Sequence, residues 1–191
     1  MQTTPETAPS AWNNWLPETE ELCSRLKATA EKDGWVQVRN TKTDPKHPRV
    51  LFPRVVTENG PIMHYALFVQ KDEKKLMGVC QFGEEAQGPT GFAHGGASAT
   101  MHDVVTGVLS DKVTEERVVT ASLTVNFKRP SPLRSAILME GNIDKIEGRK
   151  IFLKSYLKSP DGATVYSDCT ALFINLDNKQ RAMDENPNST L

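Results

Sequence analysis

Residues 94–104 read HGGASATMHDV, and this stretch predicts the start of a helix that can bind an anion. Gly95 and Gly96 leave the backbone accessible, because glycine has no side chain to hold a ligand away from it. The first N–H groups of a helix have no acceptor within the helix, so they are available to an oxyanion. We therefore expect a helix from His94 to about Asp111 whose first turn faces a ligand.

Asp103 lies about two and a half turns into this predicted helix. At about 100° per residue, the apolar side chains gather on one face of the helix. That buried face consists of Met101, Val104, Val105 and Val108, whereas the neighbours of Asp103 are Gly96, Ala99 and Gly107. An acidic residue on the polar side of a helix is most often only solvated. The stripe of small residues and the preceding donor turn favour a second interpretation, in which Asp103 faces a reaction site.

The composition limits the classes of partner. The chain has 191 residues, of which 38% are hydrophobic and 25% charged, and its net charge is -1. Such a balance argues against nucleic acid or an anionic membrane as the main partner. No run of about 18 apolar residues occurs, so no stable membrane insertion is expected. Three cysteines without close spacing, Cys23, Cys80 and Cys169, support neither a disulfide framework nor a zinc site.

Three segments are expected along the chain. Residues 1–60 form an N-terminal extension with a disordered start, one helix over Pro17–Lys32 and an extended connection that contains a solvated His47. Residues 61–177 form the main domain, and residues 178–191 a flexible tail. The first 24 residues contain no Arg or Lys and no apolar core, so they do not read as a targeting segment. From the chain as given, a cytoplasmic location is expected.

Alternating apolar and polar residues predict six strands around the central helix, with His64 as a surface strand residue. The strands are Met63–Gln70, Lys75–Phe82, Val118–Lys128, Ala136–Ile146, Lys150–Ser159 and Thr164–Asn175. The short turns between successive strands predict an antiparallel sheet, whose uncovered face the helix would bury. In the strand Val118–Lys128, odd-numbered apolar residues take one face and small polar residues from Thr120 to Asn126 take the other. A partner subunit is the simplest cover for that polar face.

Three motifs together resemble one family: HGGASATMHD at 94–103, VVTASLTVNFKRPSP at 118–132 and DKIEGRK at 144–150. They are similar to those of the PaaI-like hotdog acyl-CoA thioesterases, and within that family to the animal mitochondrial members. The similarity runs from about Pro61 to Leu176. It implies an α+β hotdog fold, in which an antiparallel sheet wraps one long helix, with an extra N-terminal helix here. It also makes a mitochondrial location an alternative to the cytoplasm.

The resemblance assigns roles to residues of the central helix and the strand after it. The N–H of Gly95 would hold the thioester carbonyl oxygen, and His94 would shape that turn. Asp103 would act as general base or nucleophile, and Thr120 would position the water or the carboxylate. The site would lie across the interface of a homodimer, which could itself pair into a dimer of dimers.

The predicted function is hydrolysis of fatty acyl-CoA to free fatty acid and coenzyme A, in lipid metabolism and without a cofactor. Gly96 and the basic pairs Lys128–Arg129 and Arg149–Lys150 are candidates for substrate binding, the basic pairs through the phosphates of coenzyme A. The alternative is a non-catalytic acyl-CoA-binding module that regulates a protein partner. His102 lies beside Asp103, but adjacent helical residues diverge by about 100°, so no metal site is expected.

Overall fold

The computed structural model describes residues 15–38, 56–57 and 60–177. Its helices are α1 (Pro17–Asp33) and α2 (Gly95–Thr114), and its strands are β1 (Val36–Gln37), β2 (Val56–Thr57), β3 (Gly60–Pro61), β4 (Met63–Gln70), β5 (Lys75–Phe82), β6 (Val118–Phe127), β7 (Ile137–Glu147), β8 (Lys150–Lys158) and β9 (Val165–Asn175). The predicted disordered start, His47 and the predicted tail lie outside the described residues. Neither helix is long and apolar enough to cross a membrane within the described ranges.

The N-terminal helix α1 confirms the helix predicted there. Pro17 occupies the first turn, where a missing N–H costs nothing, and Gly34 ends the helix with a left-handed φ of 74°. Leu22, Leu26 and Ala30, four residues apart, are buried against β4 and β5. Residues 15–38 therefore pack on the same sheet as the rest of the described chain.

The main sheet is antiparallel and has the strand order β1-β4-β5-β7-β8-β9-β6, with α2 on one face and α1 on part of the other. Met101, Val105 and Leu109 of α2 have no exposed surface and form the centre of the core. Burial of each such side chain contributes about 1.5–3 kcal/mol relative to exposure. The predicted arrangement of an antiparallel sheet around one long helix, with an additional N-terminal helix, is confirmed.

The position of β6 differs from the expected succession of short-turned strands. β6 pairs with β9 at the edge of the sheet, and β7 pairs with β5 and β8 instead. The chain between β6 and β7 lies against the loop that precedes α2, where the Ala93 N–H donates to Ser131 O and the Leu133 N–H donates to Gly91 O. Pro130 and Pro132 in this connection have no N–H, so the segment is unsuited to continue a ladder.

His64 is buried, whereas the sequence predicted a surface strand residue. Only 7% of it is exposed, and the ring of Trp15 lies 6.4 Å away. The physical reason is α1, which covers this face of the sheet: Thr19 of α1 donates a hydrogen bond to Gln81, the β5 residue opposite His64. Burial lowers the pKa of His64.

Gly141 of β7 sets the distance between α2 and the sheet. A Cβ there would lie 2.8 Å from Val105 Cγ1, closer than real Cβ atoms come. We predict that Gly141→Ala lowers the free energy of unfolding by about 1–3 kcal/mol, since a stiff β-branched side chain must move. Urea unfolding measures this loss, and Val105→Ala should recover part of it.

Gly107→Ala is the matched control for this prediction. A Cβ at Gly107 would meet the Phe173 ring at 3.5 Å, which is ordinary contact, and alanine favours the helix. Stability should stay equal or rise. Equal losses in both variants would show that the Gly141 contact has no special role.

Candidate active site

The first turn of α2 presents one free backbone donor. His94 is the N-cap, and its Nδ1 accepts the N–H of Gly96 at 2.9 Å, so the Nε2 of a neutral ring carries the hydrogen. Its carbonyl accepts from Ala97 and Ser98. In the described part of the chain the N–H of Gly95 has no acceptor, whereas Gly96, the other predicted ligand contact, uses its N–H on His94. The predicted role of His94 in shaping this turn fits that geometry.

Gly88 makes room for His94, a feature that the sequence reasoning missed. A Cβ at Gly88 would lie 2.8 Å from the Cα of His94. The His94 N–H donates to Ala86 O at 2.7 Å, which fixes the loop against the helix start. A side chain at position 88 would therefore displace the residue that caps α2.

Asp103 and Thr120 are brought together. The Thr120 hydroxyl donates to Asp103 Oδ1 at 2.8 Å, and both residues are exposed. One carboxylate oxygen is thus occupied, and the other is open to solvent. Such a pair can hold a carboxylate in a fixed direction while it accepts a proton from water.

A β-bulge puts Thr120 on the helix side of the sheet. Thr120 and Ser122 oppose consecutive residues of β9, so Ala121 has no partner. Val118 and Thr120 face α2 before the bulge, and the odd-numbered side chains from Leu123 to Phe127 face it afterwards. Strict alternation had placed Thr120 on the opposite face from Phe127, and the bulge corrects that assignment. Val119, predicted on the apolar face, is 44% exposed.

Phe127 lies over the helix start. Its ring would contact a Cβ on Gly95 at 3.4 Å, yet 59% of the residue is exposed. The ring therefore lies beside the backbone of Gly95. Sequence reasoning assigned Phe127 only to the apolar face of its strand.

Gly95 and Asp103 are separated along the helix. Eight residues of α-helix correspond to a rise of about 12 Å. β6 runs beside this stretch, with Phe127 at Gly95 and Thr120 at Asp103. One chain therefore presents a donor and a carboxylate at two separate points.

The chain matches a known family at this site. Residues 90–166 match the family model of the thioesterase superfamily. These residues form a thioesterase superfamily domain. The chain is 44% identical over 120 residues to acyl-coenzyme A thioesterase THEM4 of Bos taurus, and this alignment covers 63% of this chain and 49% of the THEM4 protein. It is 28% identical over 180 residues to acyl-coenzyme A thioesterase THEM5 of Homo sapiens, and this alignment covers 85% of this chain and 72% of the THEM5 protein. The chain thus spans about half the length of the THEM4 proteins of cattle, mouse and rat.

Solved structures agree on the fold. A crystal structure of a thioesterase superfamily protein has a TM-score of 0.55 at 21% identity and covers 85% of this chain and 81% of its own. A hypothetical thioesterase from Streptococcus pneumoniae, solved with coenzyme A, has a TM-score of 0.54 at 15% identity. The match covers 59% of this chain and 89% of that structure. At these identities the likeness identifies the hotdog fold of the thioesterase domain.

The basic residues of the thioesterase domain lie at two ends of the sheet. Lys128 and Arg129 follow Phe127, and Lys128 Nζ is 3.2 Å from Asp168. Arg149 and Lys150 lie in the hairpin between β7 and β8. This hairpin is at the same height in the sheet as the start of β6, because Lys150 and Val119 both oppose Ile174. Nine strand residues, or about 30 Å, separate these levels. One chain therefore does not bring the two pairs together.

His102 ties α2 of the thioesterase domain to the sheet. Its ring has no exposed surface, its Nδ1 lies 2.7 Å from Ser155 Oγ and its Nε2 2.8 Å from Ser167 Oγ. Burial lowers the pKa of His102 to about 4, although the nearby Asp168 carboxylate opposes the shift. His102 is therefore neutral at pH 7, and no local sequence pattern indicates its two partners.

We predict a stability loss on acidification that depends on His102. The unfolded chain binds a proton below pH 6.5, whereas folded His102 resists protonation until about pH 4. Stability conferred by the neutral ring is thus complete above pH 6.5 and decreases as the pH falls toward 4. Between pH 7 and pH 5 this linkage lowers the free energy of unfolding by about 2 kcal/mol.

Urea unfolding at both pH values measures this loss. The His102→Gln variant should lose about 2 kcal/mol less than the unmodified protein over that interval. His64→Gln is the comparison variant: burial lowers the pKa of His64 as well, but without the large shift of His102, so this variant should change the pH dependence less. An unchanged pH dependence in His102→Gln would contradict the prediction.

Proposed function

We propose that this protein is an acyl-CoA thioesterase that hydrolyses fatty acyl-CoA to a free fatty acid and coenzyme A. The observation that carries the proposal is the exposed Asp103 carboxylate of α2, which accepts a hydrogen bond from the Thr120 hydroxyl at 2.8 Å. The first N–H of the same helix has no acceptor within the described ranges. The names of the THEM4 and THEM5 relatives support acyl-CoA as the substrate class. A module that only binds acyl-CoA has no need of a carboxylate held in this way.

The free carboxylate oxygen of Asp103 would act as a general base. It takes a proton from a water molecule while the water oxygen forms a bond to the thioester carbonyl carbon. The carbonyl oxygen becomes an oxyanion, which the N–H of Gly95 stabilises. The C–S bond then breaks, and the thiolate of coenzyme A leaves and takes up a proton. Direct attack by Asp103, followed by hydrolysis of the resulting anhydride, uses the same groups.

A complete site would need two copies of the chain. A water and a carbonyl group that react must lie within about 3.5 Å of each other, whereas Gly95 and Asp103 of one chain are about 12 Å apart along the helix. Among the described residues no strand pairs with the outer edge of β6, and most of its side chains are exposed. Antiparallel pairing about a two-fold axis near Leu123 and Thr124 would set Thr120 beside Phe127 of the partner subunit. Asp103 would then face Gly95 of the partner subunit.

The same arrangement would gather the basic residues. Lys128 and Arg129 of one subunit would lie at the end of the sheet where Arg149 and Lys150 of the partner subunit lie. Guanidinium and ammonium groups are suited to the phosphates of coenzyme A. Within the described residues, Arg129, Arg149 and Lys150 form no ion pair, which leaves them available to a phosphate.

A proline at position 95 tests the proposed oxyanion donor. Gly95→Pro removes the N–H at the first helical position, where proline is tolerated, and the extended His94, with ψ of 142°, suits a residue before proline. We expect kcat for acyl-CoA to fall by about 10² to 10³. Gly95→Ala is the matched control, since it meets the same Phe127 ring but keeps the N–H. Equal losses in both variants would indicate steric damage and contradict the role.

Mixing of two inactive variants tests both the catalytic base and the shared site. Asp103→Asn keeps the shape of the side chain but cannot accept the proton, so it should lose most of kcat. When Asp103→Asn and Gly95→Pro are unfolded together and refolded, half of the dimers are mixed, and each mixed dimer has one intact site. Release of coenzyme A, detected with a thiol reagent, should therefore recover to about a quarter of the unmodified rate.

Two outcomes of the mixing experiment would count against the proposal. No recovery, with mixed dimers shown by mass spectrometry, would place both groups in one subunit. An unmodified protein that binds acyl-CoA without releasing the thiol would favour the binding module instead.

A further inference from the structure

His102 is placed to control the direction of its neighbour Asp103. Its ring reaches β8 through Ser155 and β9 through Ser167, while Asp103, one residue later and about 100° around the helix, reaches Thr120 on β6. β6 is the next strand after β9 in the sheet. A contact that fixes the rotation of α2 over β8 and β9 therefore also fixes where Asp103 points.

The other contacts of α2 with the sheet give little control over that rotation. Apart from the Asp103–Thr120 pair, whose placement is in question, the core contacts are made by apolar side chains such as Met101, Val105 and Leu109, and dispersion forces have no preferred direction. Hydrogen bonds weaken steeply away from their preferred angles. Among the described residues, those of His102 are the side-chain hydrogen bonds that join α2 to β8 and β9.

The two serine hydroxyls suit a neutral imidazole. One ring nitrogen donates and the other accepts, and each hydroxyl can take either role. Cys169, the residue opposite Ser155 on β9, is buried beside this bridge. Ser155 and Ser167 have no more than 1% of their surface exposed, so water does not compete for these bonds.

We propose that His102 is a positioning residue: its bridge between Ser155 and Ser167 fixes the rotation of α2 and holds the Asp103 carboxylate against Thr120. The consequence for reaction rests on the proposed thioesterase function. A catalytic group must be held within about 0.5 Å of its working position, and a displacement of about 1 Å can cost 10² in rate. Loss of one half of the bridge should therefore reduce kcat while substrate binding remains.

The test removes each hydroxyl without altering the helix. Ser155→Ala and Ser167→Ala each delete one hydrogen bond of His102. Ser110→Ala is the matched control, because Ser110 lies on α2, is fully buried, and its Oγ has no hydrogen-bond partner among the described residues. Kinetics are measured at a temperature where urea unfolding shows all three variants to be folded.

We expect kcat to fall by about 10- to 100-fold in Ser155→Ala and in Ser167→Ala, with KM changed by less than about twofold. Ser110→Ala should keep the unmodified kcat. Equal losses in all three variants, or a KM that rises as kcat falls, would show general damage and overturn the proposal. If one serine variant fails to fold, the other carries the same expectation.

Crystal structures of the variants give a readout that does not depend on activity. The distance from Thr120 Oγ1 to Asp103 Oδ1, 2.8 Å here, should exceed 3.5 Å in the two serine variants and stay unchanged in Ser110→Ala. A protein without thioesterase activity whose distance opens in this way would refute the proposed function and retain the positioning role. An unchanged distance in both serine variants would refute the positioning role, whatever the activity.

Discussion

The burial of α2 against one face of a single antiparallel sheet is the constraint on which the remaining features depend. Met101, Val105 and Leu109 have no exposed surface, and Gly141 lets β7 approach the helix closely. A helix enclosed on one side has only its ends and its opposite flank available for chemistry. The Gly95 N–H lies at such an end, and Asp103 lies on such a flank.

The edge strand β6 links the fold to the site. It runs beside α2 from Asp103 to Gly95, and no other strand in the described part of the chain pairs with its outer edge. Unpaired edges are a hazard in soluble proteins unless something covers them. In the arrangement that we propose, a second copy covers the edge and completes the site in the same contact, so stability of the assembly and activity would depend on one another.

Local patterns predicted the elements well, and long-range pairing accounts for what they missed. Period-two alternation located β4 and β5, and the i, i+4 spacing of Leu22, Leu26 and Ala30 located α1. Nothing local indicates that β6 pairs with β9, or that Ala121 bulges and turns Thr120 toward the helix. The pairing of Asp103 with Thr120 was expected from family resemblance, whereas alternation alone gave a different face. His102 finds its partners 53 and 65 residues away, a distance at which sequence patterns carry no signal.

The outer face of the sheet makes the N-terminal helix part of the folding unit. Phe68 and Val79 have at most 1% of their surface exposed because α1 covers them. A fragment that begins at residue 61, although it contains the whole of the family match, would expose this apolar patch to water. Such exposure promotes aggregation. The minimal fragment for expression and crystallisation therefore includes Trp15 and α1. An affinity tag or fusion partner should be attached before α1 and should not replace it.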